Sequence, residues 1–322
     1  NNFRGKIISI PNNDTIETLI QGPKYKSLNE TKTSTLPIII KRDNKEEMLT
    51  IELEGQSVTL REKEFSHWIK VTFSIDFFTK AHGILKLYVK EMSPNIEIYV
   101  SPINFDPANP LHPISQPKTY AKELTKTHGL FSTLGLPHDT WALDQEIFDE
   151  DAFLTQSESI VNDREKIYLA ELAKFQKGFF FGYFGMTDSI SHMFFRFLKD
   201  KDSKYHNTIL DAYRKADEIV GQTLKLMKKD DVLIILSDHG FKSFDYEINL
   251  NSYLMDNGYL VLKGNKREGA ELLEDVNWSK TKAYAIGYNG IYFNLKDREG
   301  SGIVETEEIK SLEKEITAKL LK

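Results

Sequence analysis

Two uniformly apolar runs organise the second half of the chain, Phe179-Phe180-Phe181-Gly182-Tyr183-Phe184 and Val232-Leu233-Ile234-Ile235-Leu236. Runs of this length without alternation predict strands buried on both faces, as in a parallel sheet covered by helices. Between and around them the period changes to that of a helix. Residues 163–176 predict one helix, with Gly178 near its end, and residues 207–229 a longer one whose Leu210, Tyr213, Val220, Leu224 and Met227 line one face. Further on, Asn249 or Asn251 is placed to cap a short helix that stops at Asn257-Gly258, where glycine suits a left-handed residue. Leu260-Val261-Leu262 continues extended, and residues 283–295 predict a hairpin turning at Tyr288-Asn289-Gly290. Residues 306–322 carry Ile309, Leu312, Ile316 and Leu320 as a helical stripe.

The first half alternates instead. Residues 48–53, 68–73, 84–89 and 96–100 read as half-buried antiparallel strands. All ten prolines lie between Pro11 and Pro137, and five of them fall within residues 102–117, which predicts a rigid irregular connection over the surface. The pattern thus predicts an α/β fold, a mostly parallel sheet covered by helices, with a small β-rich inserted subdomain. Residues 1–37 are assigned to the α/β core, 38–103 to the β-rich insertion, 104–137 to the proline-rich connection and 138–322 to the core again. No internal repeat or low-complexity tract interrupts this plan.

Composition narrows the chemistry more than the fold. At 322 residues and 40% apolar content the chain can bury a sizeable core. Its net charge of -6 offers no general basic surface for a nucleic-acid duplex. No stretch reaches the ~20 apolar residues of a membrane span. With no cysteine, disulfides and thiolate metal sites are excluded. Asn29-Glu30-Thr31 and Asn277-Trp278-Ser279 match the glycosylation acceptor, a pattern that also arises by accident.

The candidate chemistry sits where the two apolar runs end. Asp188 and His192 follow the first, spaced i to i+4, so a helix beginning near Ser189 projects both from one face. Asp238 and His239 follow the second, within Ser237-Asp238-His239-Gly240-Phe241. In parallel α/β sheets ligands bind beyond the carboxyl ends of the strands, the position both pairs occupy. Carboxylate and imidazole donors without thiolate suit zinc, iron or manganese. Each pair also has a plainer explanation, Asp188 as an N-cap and Asp238 as a capping carboxylate in a turn. The aromatic residues Phe179 to Phe181 and Phe194-Phe195 are assigned to core packing rather than to a base-stacking pocket. His206 reads as solvated, and His128 and His138 as weak candidates for lining a substrate cleft.

Thr187-Asp188-x-x-x-His192 followed by Ser237-Asp238-His239-Gly240-Phe241 resembles the alkaline phosphatase superfamily, most closely its type I phosphodiesterase and nucleotide pyrophosphatase branch. Gly135-Leu136-Pro137, residues 250–262 and Gly287-Tyr288-Asn289-Gly290-Ile291-Tyr292-Phe293-Asn294 extend the resemblance to roughly residues 130–304. It implies an alkaline phosphatase-like fold and a phosphoric ester hydrolase acting on small phosphate-ester or nucleotide substrates. It further implies two divalent metal ions, zinc in the first place with manganese or iron as alternatives. One ion would take Asp188, His192 and a later histidine; the other would take Asp238, His239, an earlier aspartate and a Ser or Thr nucleophile.

The sequence departs from that pattern at both ends. The eight histidines are His67, His82, His112, His128, His138, His192, His206 and His239, so none follows the second motif. No strand ending in Asp and followed by a nucleophile precedes the first; Asp14-Thr15 follows Ile7-Ile8-Ser9-Ile10-Pro11, a different kind of segment, and is not assigned. The expectation is therefore a fragment with an incomplete site, inactive alone, whose catalytic residue is unknown. Two alternatives stay open: a phosphomonoesterase, sulfatase or phosphomutase of the same superfamily, and a binding module that kept the fold and lost the chemistry.

Overall fold

The computed structural model describes residues 4–27, 30–75, 79–243, 245–287 and 290–321. It forms two compact units, residues 1–241 and 242–322.

The first unit begins with strands. β1 (Lys6–Pro11), β2 (Thr15–Ser27), β3 (Glu30–Asp43), β4 (Met48–Leu53), β5 (Gln56–Arg61), β6 (Ile69–Ser74), β7 (Lys80–Leu85), β8 (Leu87–Glu91), β9 (Asn95–Val100) and β10 (Asn104–Phe105) build three sheets, ordered β1-β9-β8, β10-β7-β6 and β2-β3-β4-β5. Every strand pair is antiparallel. Alternation in sequence becomes alternation in burial: Leu49, Ile51 and Leu53 of β4 point into the core while Met48, Thr50 and Glu52 are half-buried. Ile20, Leu36, Ile38, Ile40, Val71, Phe73, Ile96 and Ile98 complete that shared apolar interior. Strands before residue 38 belong to the same assembly, since β2 pairs with β3 along Ile16↔Ile40 and Leu19↔Pro37. The boundary expected at 37/38 thus falls inside β3. The single strand expected over 84–89 is two strands, β7 and β8, which join different sheets on either side of Lys86.

Helices follow: α1 (Tyr120–His128), α2 (Thr140–Asp144), α3 (Glu150–Lys174), α4 (Met186–Phe194) and α5 (Thr208–Leu226). Asp149 starts α3 by accepting the Ala152 N–H at 2.8 Å. The helix expected over 163–176 is the second half of this longer one. On α5 the buried residues are Ile209, Ala212, Ile219 and Thr223, whereas Leu210, Tyr213 and Leu224 are exposed. The stripe read from sequence is therefore the neighbouring one; Thr223 tolerates burial because its hydroxyl donates to Ile219 O at 2.8 Å. Tyr88 and Tyr99 of the sheets pack with Phe148, Phe153, Ile190 and Phe194 of the helical half, so strands and helices share a second core.

The parallel sheet is not found among the described residues. Residues 179–184 and 232–236 carry no strand pairing, and most of them are exposed, Phe179 at 86% and Val232 at 84%, while Phe180, Phe184 and Leu233 are half-buried. An apolar run becomes a buried strand only when flanking strands supply its hydrogen-bond ladders. None of the described strands pairs with either run. Core packing holds for Phe194 and fails for Phe179 and Phe181, which are exposed and stack on each other at 6.4 Å.

The second unit contains α6 (Leu250–Asp256), the antiparallel hairpin β11 (Ala283–Ile286) and β12 (Gly290–Phe293), and α7 (Ile309–Leu320). Asn249 caps α6 by accepting the Ser252 N–H at 2.9 Å, and Gly258 ends the turn after it at φ 75°. Tyr288 and Asn289 of the expected turn lie outside the described residues, as does Asn29 of the first glycosylation match. Leu254, Tyr259, Leu260, Val276, Ala283, Val304, Leu312 and Ile316 form this unit's own core. Asn294 is fully buried there and donates to Trp278 O at 2.7 Å and Thr281 O at 2.8 Å, tying the segment after β12 to the one before β11.

No helix among the described residues is long and apolar enough to cross a membrane.

Candidate functional site

Helix α4 sets the first pair. Gly185 is its N-cap, so Asp188 lies in the first turn rather than at the cap, where the helix dipole favours a carboxylate. One turn later on the same face stands His192, its Nε2 3.4 Å from Asp188 Oδ1. The second pair arrives on the extended segment after the 232–236 run. His239 points Nε2 at the same oxygen, 3.5 Å from Asp188 Oδ1, and lies 3.7 Å from Asp238 Oδ2. The donor atoms of Asp188, His192 and His239 all fall within 4.8 Å of one another. Asp238 stands beside this trio, its carboxylate 87% exposed and its Oδ1 accepting the His239 N–H at 3.2 Å.

The chemistry of this donor set fits a cation. A charge-assisted N–H···O bond is about 2.7–2.9 Å long, shorter than either imidazole contact to Asp188. Donors bound tetrahedrally at about 2.1 Å from one zinc ion stand roughly 3.4 Å apart. The observed separations of 3.4 and 3.5 Å match the second geometry. His239 Nδ1 lies 3.1 Å from Gly240 O, and the neutral tautomer that donates to that carbonyl is the one with its Nε2 lone pair facing Asp188.

Away from the trio, one network ties sheet to helix. Asp139 is buried; its Oδ2 accepts Tyr99 Oη–H at 2.6 Å and the Gly5 N–H at 3.0 Å, and its Oδ1 accepts the Ala142 N–H at 3.1 Å as cap of α2. Burial, reinforced by Asp139, pushes the Tyr99 hydroxyl far above its usual range. Gly5 has no room for a side chain, because a Cβ there would meet the Tyr99 ring at 2.0 Å. Sequence reasoning missed this network; Asp139 before a helix was the signal available, and it reveals only the cap.

His138 adjoins it and is 8% exposed, with Nε2 lacking a partner among the described residues. Burial, aided by the Arg164 charge, lowers its pKa from the ordinary 6.5 to about 4. The unfolded chain therefore takes up this proton near pH 6.5 and the folded chain only near 4. Stability is full above the first value and falls as pH drops toward the second, by up to about 3 kcal/mol. Denaturant titrations from pH 7 to 4.5 are expected to show that loss, and His138→Leu to flatten it; an unchanged slope contradicts the assignment. His128 Nε2 lies 3.6 Å from Glu171 Oε1 and makes no hydrogen bond among the described residues, and His206 Nδ1 lies 3.3 Å from Phe197 O; neither belongs to the trio.

Comparison with known families finds that the model of type I phosphodiesterase / nucleotide pyrophosphatase matches residues 68–322, well over half of the chain and including both motifs. Neither the curated proteins nor the solved structures give a match. The sequence over 68–322 thus carries more family information than the Asp-His motifs alone, and the chain belongs to the type I phosphodiesterase / nucleotide pyrophosphatase family.

Proposed function

We infer that the Asp188, His192, Asp238 and His239 cluster is the metal centre of a phosphodiesterase or nucleotide pyrophosphatase. The family comprises metal-dependent phosphoric ester hydrolases acting on small phosphate-ester or nucleotide substrates. The observation that carries the residue assignment is the convergence of two imidazoles on one Asp188 oxygen, at spacings suited to an intervening ion rather than to hydrogen bonds. With a single equivalent of zinc, Asp188, His192 and His239 form the occupied set. In the two-ion assignment Asp188 and His192 share one ion and Asp238 and His239 the other, and the Asp188–His239 approach makes the pairs neighbours. Zinc suits the nitrogen and oxygen donors; manganese and iron share that preference.

A divalent ion here supplies Lewis-acid stabilisation of a phosphoryl oxygen and charge neutralisation for an anionic ester. The chain's own contribution is to place the donors. Asp188 is fixed by the first turn of α4, His192 by the next turn, and His239 by its contact with Gly240 O. None of these four acts as base or nucleophile in this reading; each is a ligand.

The reaction is tested in a longer form of the chain that supplies a nucleophile and a later histidine, by hydrolysis of a chromogenic phosphodiester in the presence of zinc, with a phosphomonoester and a sulfate ester alongside. Turnover is expected to favour the diester, and Asp238→Ala to reduce it at least ~100-fold without loss of fold, since a ligand should matter more than the outer partners that cost ~10–100-fold. Equal turnover by the variant contradicts the assignment. Preference for the monoester or sulfate ester moves the chain to another reaction of the same superfamily.

A further inference from the structure

We propose that Phe241 is a positioning residue of the metal centre, a ring that holds His192 and His239 at the angle an ion requires. The inference rests on the metal reading above and goes beyond it to a residue that donates no ligand atom. Its ring lies edge-on to both imidazoles, 4.9 Å and 81° from His192 and 5.4 Å and 67° from His239. The two imidazoles stand 6.2 Å apart, so one aromatic ring touches both members of the pair. Phe241 is in turn stacked on Phe195 at 6.3 Å and 29°, and Phe195 packs against the helical core just beyond α4.

The two histidines differ in what else orients them. His239 has the Gly240 carbonyl at Nδ1, the kind of second contact that usually fixes a metal-ligating imidazole. His192 has no such contact: among the described residues Asp188 is its one polar partner. Its side chain is 59% exposed, so burial does not restrain it either. What limits its rotation is the edge-to-face contact with Phe241, an arrangement that aromatic rings favour. Ring packing thus replaces the missing hydrogen bond on α4 and couples the first motif to the second through Phe195 and Phe241.

Calorimetric titration of the full chain with zinc alone tests this. Phe241→Leu is expected to bind the first equivalent ~10-fold more weakly than the native chain, at the low end of what outer-shell partners of metal ligands contribute. Phe241→Tyr keeps the ring and is expected to stay within about threefold, a rescue that a general packing role would not produce in affinity. Far-ultraviolet circular dichroism and thermal melting separate weakened binding from lost fold; if the leucine variant fails to fold, Phe241→Met takes its place. Native-like zinc affinity in the leucine or methionine variant overturns the proposal. A native chain that binds no zinc, indistinguishable from Asp188→Ala, overturns the metal reading itself and this inference with it.

Discussion

Asp188→Ala is expected to lower affinity for the first equivalent of zinc at least ~100-fold, or about 2.7 kcal/mol, because a ligand is removed rather than an outer-shell partner. Asp188 is the point where the two motifs meet: His192 approaches its Oδ1 from the same helix at 3.4 Å and His239 from the other motif at 3.5 Å. Without it the remaining imidazoles stand 6.2 Å apart between ring centres, and only the 87% exposed Asp238 carboxylate is left to balance the ion's charge. Stability should move little in the same variant. A first-turn carboxylate favoured by the helix dipole contributes about 0.3–1 kcal/mol, and Asp188 caps no backbone N–H of α4. The two measurements therefore separate: zinc titration shows a large effect and denaturant unfolding of the metal-free chain a small one. Asp188→Asn keeps the shape and loses the charge, and is expected to fall between native and alanine variants.

The largest effect on folding is expected at Asp139→Ala, about 3–5 kcal/mol. Three buried or part-buried donors converge on this carboxylate, Tyr99 Oη–H, the Gly5 N–H and the Ala142 N–H. Leaving a buried donor unpaired costs about 1–3 kcal/mol, and losing an N-cap about 1 kcal/mol. These costs add only in part, since Gly5 and Tyr99 share one oxygen. Tyr99→Phe removes one donor and leaves the carboxylate with its two backbone partners, so its cost should be smaller, about 1–2 kcal/mol. Urea unfolding of the two single variants and the double variant measures the coupling. Additive losses would show that Asp139 and Tyr99 act independently, against the shared network.

What was legible in the sequence was local. The i to i+4 spacing placed Asp188 and His192 on one helical face, Asn249 and Asn257-Gly258 marked the ends of α6, and alternation gave β4 at its observed bounds. Where a reading depended on distant partners, it failed or stopped short. The 179–184 and 232–236 runs have the composition of buried parallel strands, but a ladder needs neighbours that periodicity does not supply. On α5 two overlapping apolar stripes exist, and only the packing of Ile209, Ala212 and Ile219 decides between them. Lys86 divides a run that reads as one strand, because β7 before it and β8 after it pair with different sheets. The four candidate ligands were named from motif and spacing. That His239 reaches Asp188 as well as Asp238, and that Phe241 touches both imidazoles, are tertiary facts no spacing encodes.

The most direct test is the zinc K-edge absorption spectrum of the chain loaded with one equivalent of zinc. The account predicts a shell of nitrogen and oxygen donors at about 2.0–2.2 Å with the outer scattering of two imidazoles, lost in Asp188→Ala. A spectrum without imidazole scattering, or one unchanged by that substitution, would contradict it.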